Sequence, residues 1–315
     1  MSPGLPFPLF RRPPPGRPRR FSAHYEGVLG TSLEVGLLAR PGREDAGVAA
    51  VLAEIDRLEW VYSRFDSGSE LNRWLADPAL EPSAELAGLL RMAEEGRQLT
   101  AGVFHPSAEG LVGLWREAEC SGREPDAVAI RALLTRLQAP VWSRRPGFQP
   151  DVPLNLNALA KGHIADQAAE AGLGVEGVDE VLVHLGGDLR HLGAAGVTVG
   201  ITNPLAPYDN APPLVRLRLC GQGMASSGAL RGFQVADRWY SHVLDSRSGR
   251  PAEQVPGASV VAPDCAADLL ATAFSVLPPP QSLALADELE GVACLIVTAE
   301  GQRLSNLRWQ ELVVS

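Results

Sequence analysis

The chain has 315 residues, 45% hydrophobic and 21% charged, an ordinary globular composition. Its formal net charge is −9, and residues 1–20 hold five arginines and no acid, so the remainder carries −14 (−9 − 5). That acidic body excludes a nucleic-acid partner, which needs basic surface, and no apolar run reaches the roughly 18 residues of a membrane span.

In chain order, residues 1–22 read as a disordered Arg/Pro-rich arm. Its Arg11-Arg12 pair has no apolar stretch or small-residue cleavage site after it, so an export signal is rejected and a cytoplasmic protein is expected. Residues 23–315 are expected to form one domain. A strand begins near Tyr25–Val35, interrupted by Gly30, and Val51, Ile55, Leu58 and Tyr62 recur at helical spacing over 46–62. Ser83 is placed to cap a helix running to Gly102, and a third helix follows Asp126. Residues 139–153 form a loop. A helix covers Leu159–Ala171 and stops at Gly172. Strands follow at Glu180–Leu185, Val197–Thr202 and Leu214–Leu219, with more β structure near 232–244 and 258–262. A helix at Cys265–Val276, a short one near 281–289 and a final hairpin around Glu300-Gly301 close the chain. Helices and antiparallel strands in mixed order, with no βαβ repeat, predict an α+β fold. Cys120, Cys220, Cys265 and Cys294 form no CxxC pair and are expected to be buried free thiols.

Several residues stand out chemically. Of 28 basic residues only Lys161 is a lysine, a compact point charge that Arg's planar fork does not copy. It starts a helix directly before Gly162, where it is either a solvated side chain or an anion contact at a helix N-terminus. Asp268 and Thr272, at i and i+4, form either the polar edge of a helix or a pair of hard oxygen ligands suited to Mg²⁺. The Gly186-Gly187-Asp188 and Gly228 segments are either tight turns or places where backbone approaches a phosphate. His242, near Tyr240, Asp245 and Arg247, is either a structural turn histidine or a general base. Phe65 is either a core aromatic at a helix end or a ring that stacks on a cofactor.

Taken in order, these segments resemble the ApbE family of FAD:protein FMN transferases. The matching stretches are Gly30-Thr31, Ser63 to Leu71, Gly102 to Trp115, Ala160 to Asp166, Gly186 to Asp188, Ser226 to Gly228, Tyr240 to Pro251, and Ala267 to Ala273. The resemblance implies the family's α+β fold and Mg²⁺-dependent transfer of FMN from FAD to a Ser or Thr of a client protein. It implies Asp268, Thr272 and the Ala158 carbonyl as metal ligands and His242 as base or positioning residue. It also implies FAD contacts at Leu29, Phe65, His105, Pro106, Ser107, Asn155, Lys161, Gly187, Asp188 and Val243. The chain departs from the pattern at His105 and Asn155, where the family usually has Asp, and at Ala271, where some members carry a second acid. An Mg²⁺-dependent FAD pyrophosphatase and a non-catalytic flavin-binding protein are the alternatives.

Overall fold

The structure, a computed structural model, describes residues 16–77, 79–143, 148, 150, 152–208, 211–228 and 232–314. Residues 1–15 of the expected arm, and part of the 139–153 loop, lie outside the described residues. The fold opens with a hairpin rather than one interrupted strand. Leu29 and Gly30 both have positive φ (50° and 73°), which turns the chain between β1 (Arg19–Val28) and β2 (Thr31–Ala39). Strand β1 therefore starts at Arg19, six residues before the expected start, and residues 19–22, read as arm, are strand.

Helix α1 (Glu44–Tyr62) buries Val48, Val51, Ile55, Leu58 and Tyr62 on one face. Helix α2 (Glu70–Ala76) was not expected. It begins at Ser69, whose side chain accepts from the Asn72 N–H. Helix α3 (Ala84–Leu99) has the expected cap, Ser83 accepting from the Leu86 N–H, and ends three residues before Gly102. Helix α4 (Glu109–Ser121), also unexpected, precedes α5 (Ala127–Arg136), which Asp126 caps. Helix α6 (Asn157–Leu173) leads into strands β3 (Val178–Leu185), β4 (Asp188–Leu192), β5 (Val197–Ile201), β6 (Val215–Leu219) and β7 (Gly223–Gly228). Short strands β8 (Gly232–Val235), β9 (Arg238–Ser241), β10 (Leu244–Asp245) and β11 (Arg250–Pro251) precede β12 (Gly257–Ala262). The chain ends with α7 (Ala266–Phe274), α8 (Pro279–Glu288), β13 (Ala293–Val297), β14 (Arg303–Ser305), α9 (Leu307–Leu312) and β15 (Val313–Val314).

An eight-stranded antiparallel sheet in the order β1-β2-β3-β4-β7-β12-β13-β14 organises the described residues. Its central strands are buried on both faces, so neighbouring residues enter different cores. Val260 joins the large core with α1, α3, α6 and α7, whereas Val261 joins a second core with Leu217, Leu219 and Trp309 beneath the small β15-β6-β5 sheet. A third core packs Trp115 and Leu111 of α4 against Phe233 and Tyr240 of the β8–β9 hairpin. The α+β architecture stands as expected.

Two of the four cysteines depart from expectation: Cys265 and Cys294 are buried, but Cys120 and Cys220 are exposed, and all four are free thiols.

Candidate active site

Helices α6 and α7 cross where Gly162 meets Asp268. A Cβ on Gly162 would lie 3.1 Å from the Asp268 Cβ and 3.3 Å from the Cys265 carbonyl, so glycine sets the approach of the two helices. In a regular helix the Gly162 N–H serves the carbonyl four residues back, which is Ala158. Here that N–H donates to the Asp268 carboxylate, and Ala158 has non-helical angles (φ −81°, ψ 17°) that kink the first turn of α6. The Asp268 carboxylate and the carbonyl of the kinked Ala158 thus stand at the same crossing as candidate oxygen ligands.

Asp268 lies in the first turn of α7 and is buried, with its Oδ2 lacking a hydrogen-bond partner. Burial holds its carboxyl well above the ordinary carboxylate range, and the neighbouring Asp188 pushes it the same way, against Lys161 and the Gly162 N–H. Thr272, one turn on, is half-buried on the same helix. Lys161 Nζ lies 2.5 Å from Asp188 Oδ2. Asp188 is buried too; burial raises its carboxyl pKa and Lys161 opposes the rise. Asp188 opens β4 directly after the Gly186-Gly187 turn, where Gly186 (φ 65°) sits against Thr31 and Gly187 against the Ser226 carbonyl. Lys161, Gly187, Asp188, Asp268 and the Ala158 kink thus converge, and Leu29, at the β1–β2 turn two residues before Thr31, stands at the same end of the sheet.

A clamp holds this cluster. Asp166, on α6, accepts from the Cys265 N–H (2.7 Å) at the start of α7, which has no side-chain cap of its own. Arg190, on β4, lies 3.3 Å from Asp166 Oδ1 and donates to the Pro263 carbonyl. Burial raises the Asp166 carboxyl pKa to about 6 against the pull of Arg190.

The remaining predicted residues form two neighbouring groups. In the first, Asn155 N–H donates to the Pro106 carbonyl (2.6 Å), and Asn155 Oδ1 accepts from the Asn157 N–H, one residue before the Ala158 kink. Asn155 Nδ2 donates to Glu109 Oε2 (2.8 Å), which Arg64 Nη1 approaches to 3.0 Å. The Arg64 guanidinium stacks at 4.6 Å on the Phe65 ring, and Phe65 is 77% exposed, not the core aromatic that was its alternative reading. In the second group, exposed His242 and buried Val243 lie between β9 and β10. Trp115 Nε1 donates to the Gly249 carbonyl (2.9 Å) and ties this segment to α4. Arg247 lies beside Gly102, at the start of the turn that carries His105.

In comparison with known proteins, residues 29–296 match the ApbE family. The chain belongs to the ApbE family of flavin transferases. It is 31% identical to the FAD:protein FMN transferase of Treponema pallidum, over 90% of this chain and 86% of that one. It is 30% identical to the enzyme of the same name from Klebsiella pneumoniae, over 67% of this chain and 68% of that one. Among solved structures, the ApbE protein of Thermotoga maritima superposes with a TM-score of 0.80 at 22% identity, covering 94% of this chain and all of that one. The apo form of Pseudomonas stutzeri flavinyl transferase ApbE gives 0.75 at 25% identity, covering 95% and 97%.

Two of the three departures of this ApbE-family chain, His105 and Asn155, have local explanations. His105 Nδ1 accepts from the Ser107 N–H (3.0 Å), the i+2 bond that an Asp carboxylate makes in an Asx turn, and its Nε2–H donates to the Leu137 carbonyl (2.9 Å). His105 and Ser107 are both buried, and the His105 ring is engaged with backbone through both nitrogens. Burial lowers the His105 pKa. Asn155 likewise keeps an i+2 bond through Oδ1, while its amide donates to Glu109, where an Asp would face a second carboxylate. Sequence reading missed Glu109, Arg64 and Arg190. Arg64 was visible beside Phe65, but its partner 45 residues away was not.

Proposed function

We propose that this chain transfers FMN from FAD to a Ser or Thr hydroxyl of a client protein, releasing AMP, with Mg²⁺ bound through Asp268, Thr272 and the Ala158 carbonyl. The observation that carries the metal assignment is the buried Asp268 Oδ2 without a partner, beside the kinked first turn of α6 at Ala158. Such an oxygen is costly unless something cationic meets it. Among the described residues no group of three His, Cys, Asp or Glu side chains is placed to hold a metal. The donor set is therefore one carboxylate, one hydroxyl and one carbonyl, all hard oxygens, and Mg²⁺ accepts such a partial set when phosphate and water complete it. When bound, the cation supplies charge neutralisation at a diphosphate.

The chain's own residues supply the rest. Lys161, held by Asp188, presents a point charge for the diphosphate. Exposed Phe65 is placed to stack on the flavin, and the Leu29 turn, the Pro106 turn, Asn155, Gly187 and Val243 position the nucleotide. The client hydroxyl oxygen forms a bond to the FMN-side phosphorus as the bond to the bridging oxygen breaks, and AMP departs with that oxygen. His242, exposed and hence reachable by a client loop, accepts the hydroxyl proton. One flavin transferase domain, beginning at β1 rather than at residue 23, carries this work. No helix among the described residues is long and apolar enough to cross a membrane, and four unpaired thiols support a cytoplasmic setting.

The test is AMP release from FAD and Mg²⁺, followed by chromatography, with and without a client domain bearing an acceptor Ser or Thr. Release that depends on the client supports transfer. Equal release without client, with free FMN, identifies an FAD pyrophosphatase. Tight FAD binding with no AMP under either condition identifies a flavin carrier.

A further inference from the structure

The two edges of the eight-stranded sheet differ sharply. Strand β14 is three residues long. Strand β1 pairs with β2 in regular register from Arg19 to Tyr25, and among the described residues nothing pairs with its outer side. Sheet edges of this length are normally blunted by proline, lysine, an inward charge or a bulge within the run. Residues 19–25 contain no proline or lysine, their two charged residues, Arg19 and Arg20, stand together at one end, and the register shift comes only between Tyr25 and Val28. Phe21 is 38% exposed on this strand.

The strand is also complementary to itself. Two copies of β1 joined antiparallel in one continuous sheet are related by a twofold axis normal to it, so residues opposite one another share a face. With Ala23 on the axis, Phe21 of each copy faces Tyr25 of the other, Ser22 faces His24, and Arg20 faces Glu26. Phe21 and Tyr25 lie on the face where Ala23 and Tyr25 already pack on the main core, which extends that apolar layer across the junction. Arg20 lies on the opposite face, beside Glu180, and strand alternation from Tyr25 puts Glu26 there too, at the start of the register shift, so that two opposite-charge pairs close the ends. Aromatic and opposite-charge pairs are the cross-strand combinations that stabilise antiparallel sheets. Shifting the register by two residues, to place Ser22 on the axis, sets Arg20 against His24 and Arg19 against Tyr25, and the acid–base match is gone. Arg20 already lies 3.3 Å from the buried Glu180, with its side chain 63% exposed, so it is held on the correct face and still reachable.

We propose that β1 is a homodimer interface, joining two copies of this chain edge to edge through residues 19–26, with Ala23 on the twofold axis and Arg20 paired with Glu26 of the second copy. This inference is independent of the flavin chemistry above, because it rests on the sheet edge alone.

The test uses the full chain in solution. Multi-angle light scattering over a concentration series should show a mass rising from 33.5 kDa towards twice that value. Glu26→Arg places like charges opposite each other at both ends and should shift the midpoint of dimerisation at least tenfold towards higher concentration. In a Cys120→Ser, Cys220→Ser background, Ala23→Cys should cross-link two chains on mild oxidation, since residues opposite each other at a twofold lie within disulfide reach. Ser22→Cys, displaced from its own copy, should not. A chain that stays monomeric across the series overturns the proposal. So does a dimer that Glu26→Arg leaves unchanged, or one that cross-links equally well through residue 22 and residue 23.

Discussion

Replacing Asp268 by Asn separates the cost of the site from its use. Asp268 is buried, its Oδ2 has no partner, and Asp188 stands close enough to raise its pKa further. A buried polar group left unsatisfied costs about 1–3 kcal/mol. Asn keeps the shape and can still accept the Gly162 N–H through its oxygen, while its amide group turns a repulsion towards Asp188 into an attraction. Without metal the variant should therefore unfold at a higher temperature than the parent, by about 2–5 °C for a chain of this size. In the parent, FAD with Mg²⁺ at a hundred times their dissociation constant adds about 2.7 kcal/mol. The variant should lose that Mg²⁺-dependent gain and with it FMN transfer. Thermal unfolding followed by tryptophan fluorescence, with chelator, with Mg²⁺, and with Mg²⁺ plus FAD, reads all three terms. A variant less stable than the parent in chelator, yet still stabilised by Mg²⁺, refutes the reasoning, because the carboxylate would then be structural rather than held ready for a cation.

Lys161→Ala should destabilise the protein by about 3 kcal/mol in urea unfolding, since it strands Asp188 in the interior. Asn155→Asp should weaken the site by setting two carboxylates side by side, and adding Glu109→Gln should restore much of the loss. A thermodynamic cycle of the two changes should give a coupling of about 1 kcal/mol. The pH dependence of stability should carry the mark of Asp166. Its carboxyl is raised to about 6 in the folded chain, so its contribution is complete below the ordinary carboxylate pKa and disappears as pH rises through about 6. Relative to Asp166→Asn, the parent should lose about 2 kcal/mol between pH 4 and pH 6.5 in urea titrations. Gly162→Ala should leave the chain folded but push α7 off α6, which would appear as a large fall in FMN transfer with little change in far-UV circular dichroism.

How much of this was legible in the sequence follows from the range of the interactions. Helices α1, α3, α5 and α7 were visible because each carries its own apolar stripe or cap, as Ser83 and Asp126 do. The Asp268–Thr272 edge and solitary Lys161 were visible as local oddities. Helix α2 was missed because its cap, Ser69, sits inside a polar run that reads as loop. Strands β4 and β7 were missed because their residues are set by position in the middle of a sheet, not by alternation; Met224 and Ala225 face different cores. The fates of His105 and Asn155 could not be read from sequence. Each depends on a partner far away in the chain, Leu137 and Glu109 respectively. The Ala158 kink was equally invisible, since it is a backbone conformation that no side chain in the sequence marks.

The central claim is tested most directly by co-expressing the chain with a client domain that carries an acceptor Ser or Thr and weighing the purified client. The account predicts in-gel flavin fluorescence and a mass gain of one FMN less one water, located on that hydroxyl, and neither signal with the Asp268→Ala chain. A client of unchanged mass beside an active, FAD-loaded wild-type chain, or equal labelling by wild type and Asp268→Ala, contradicts it.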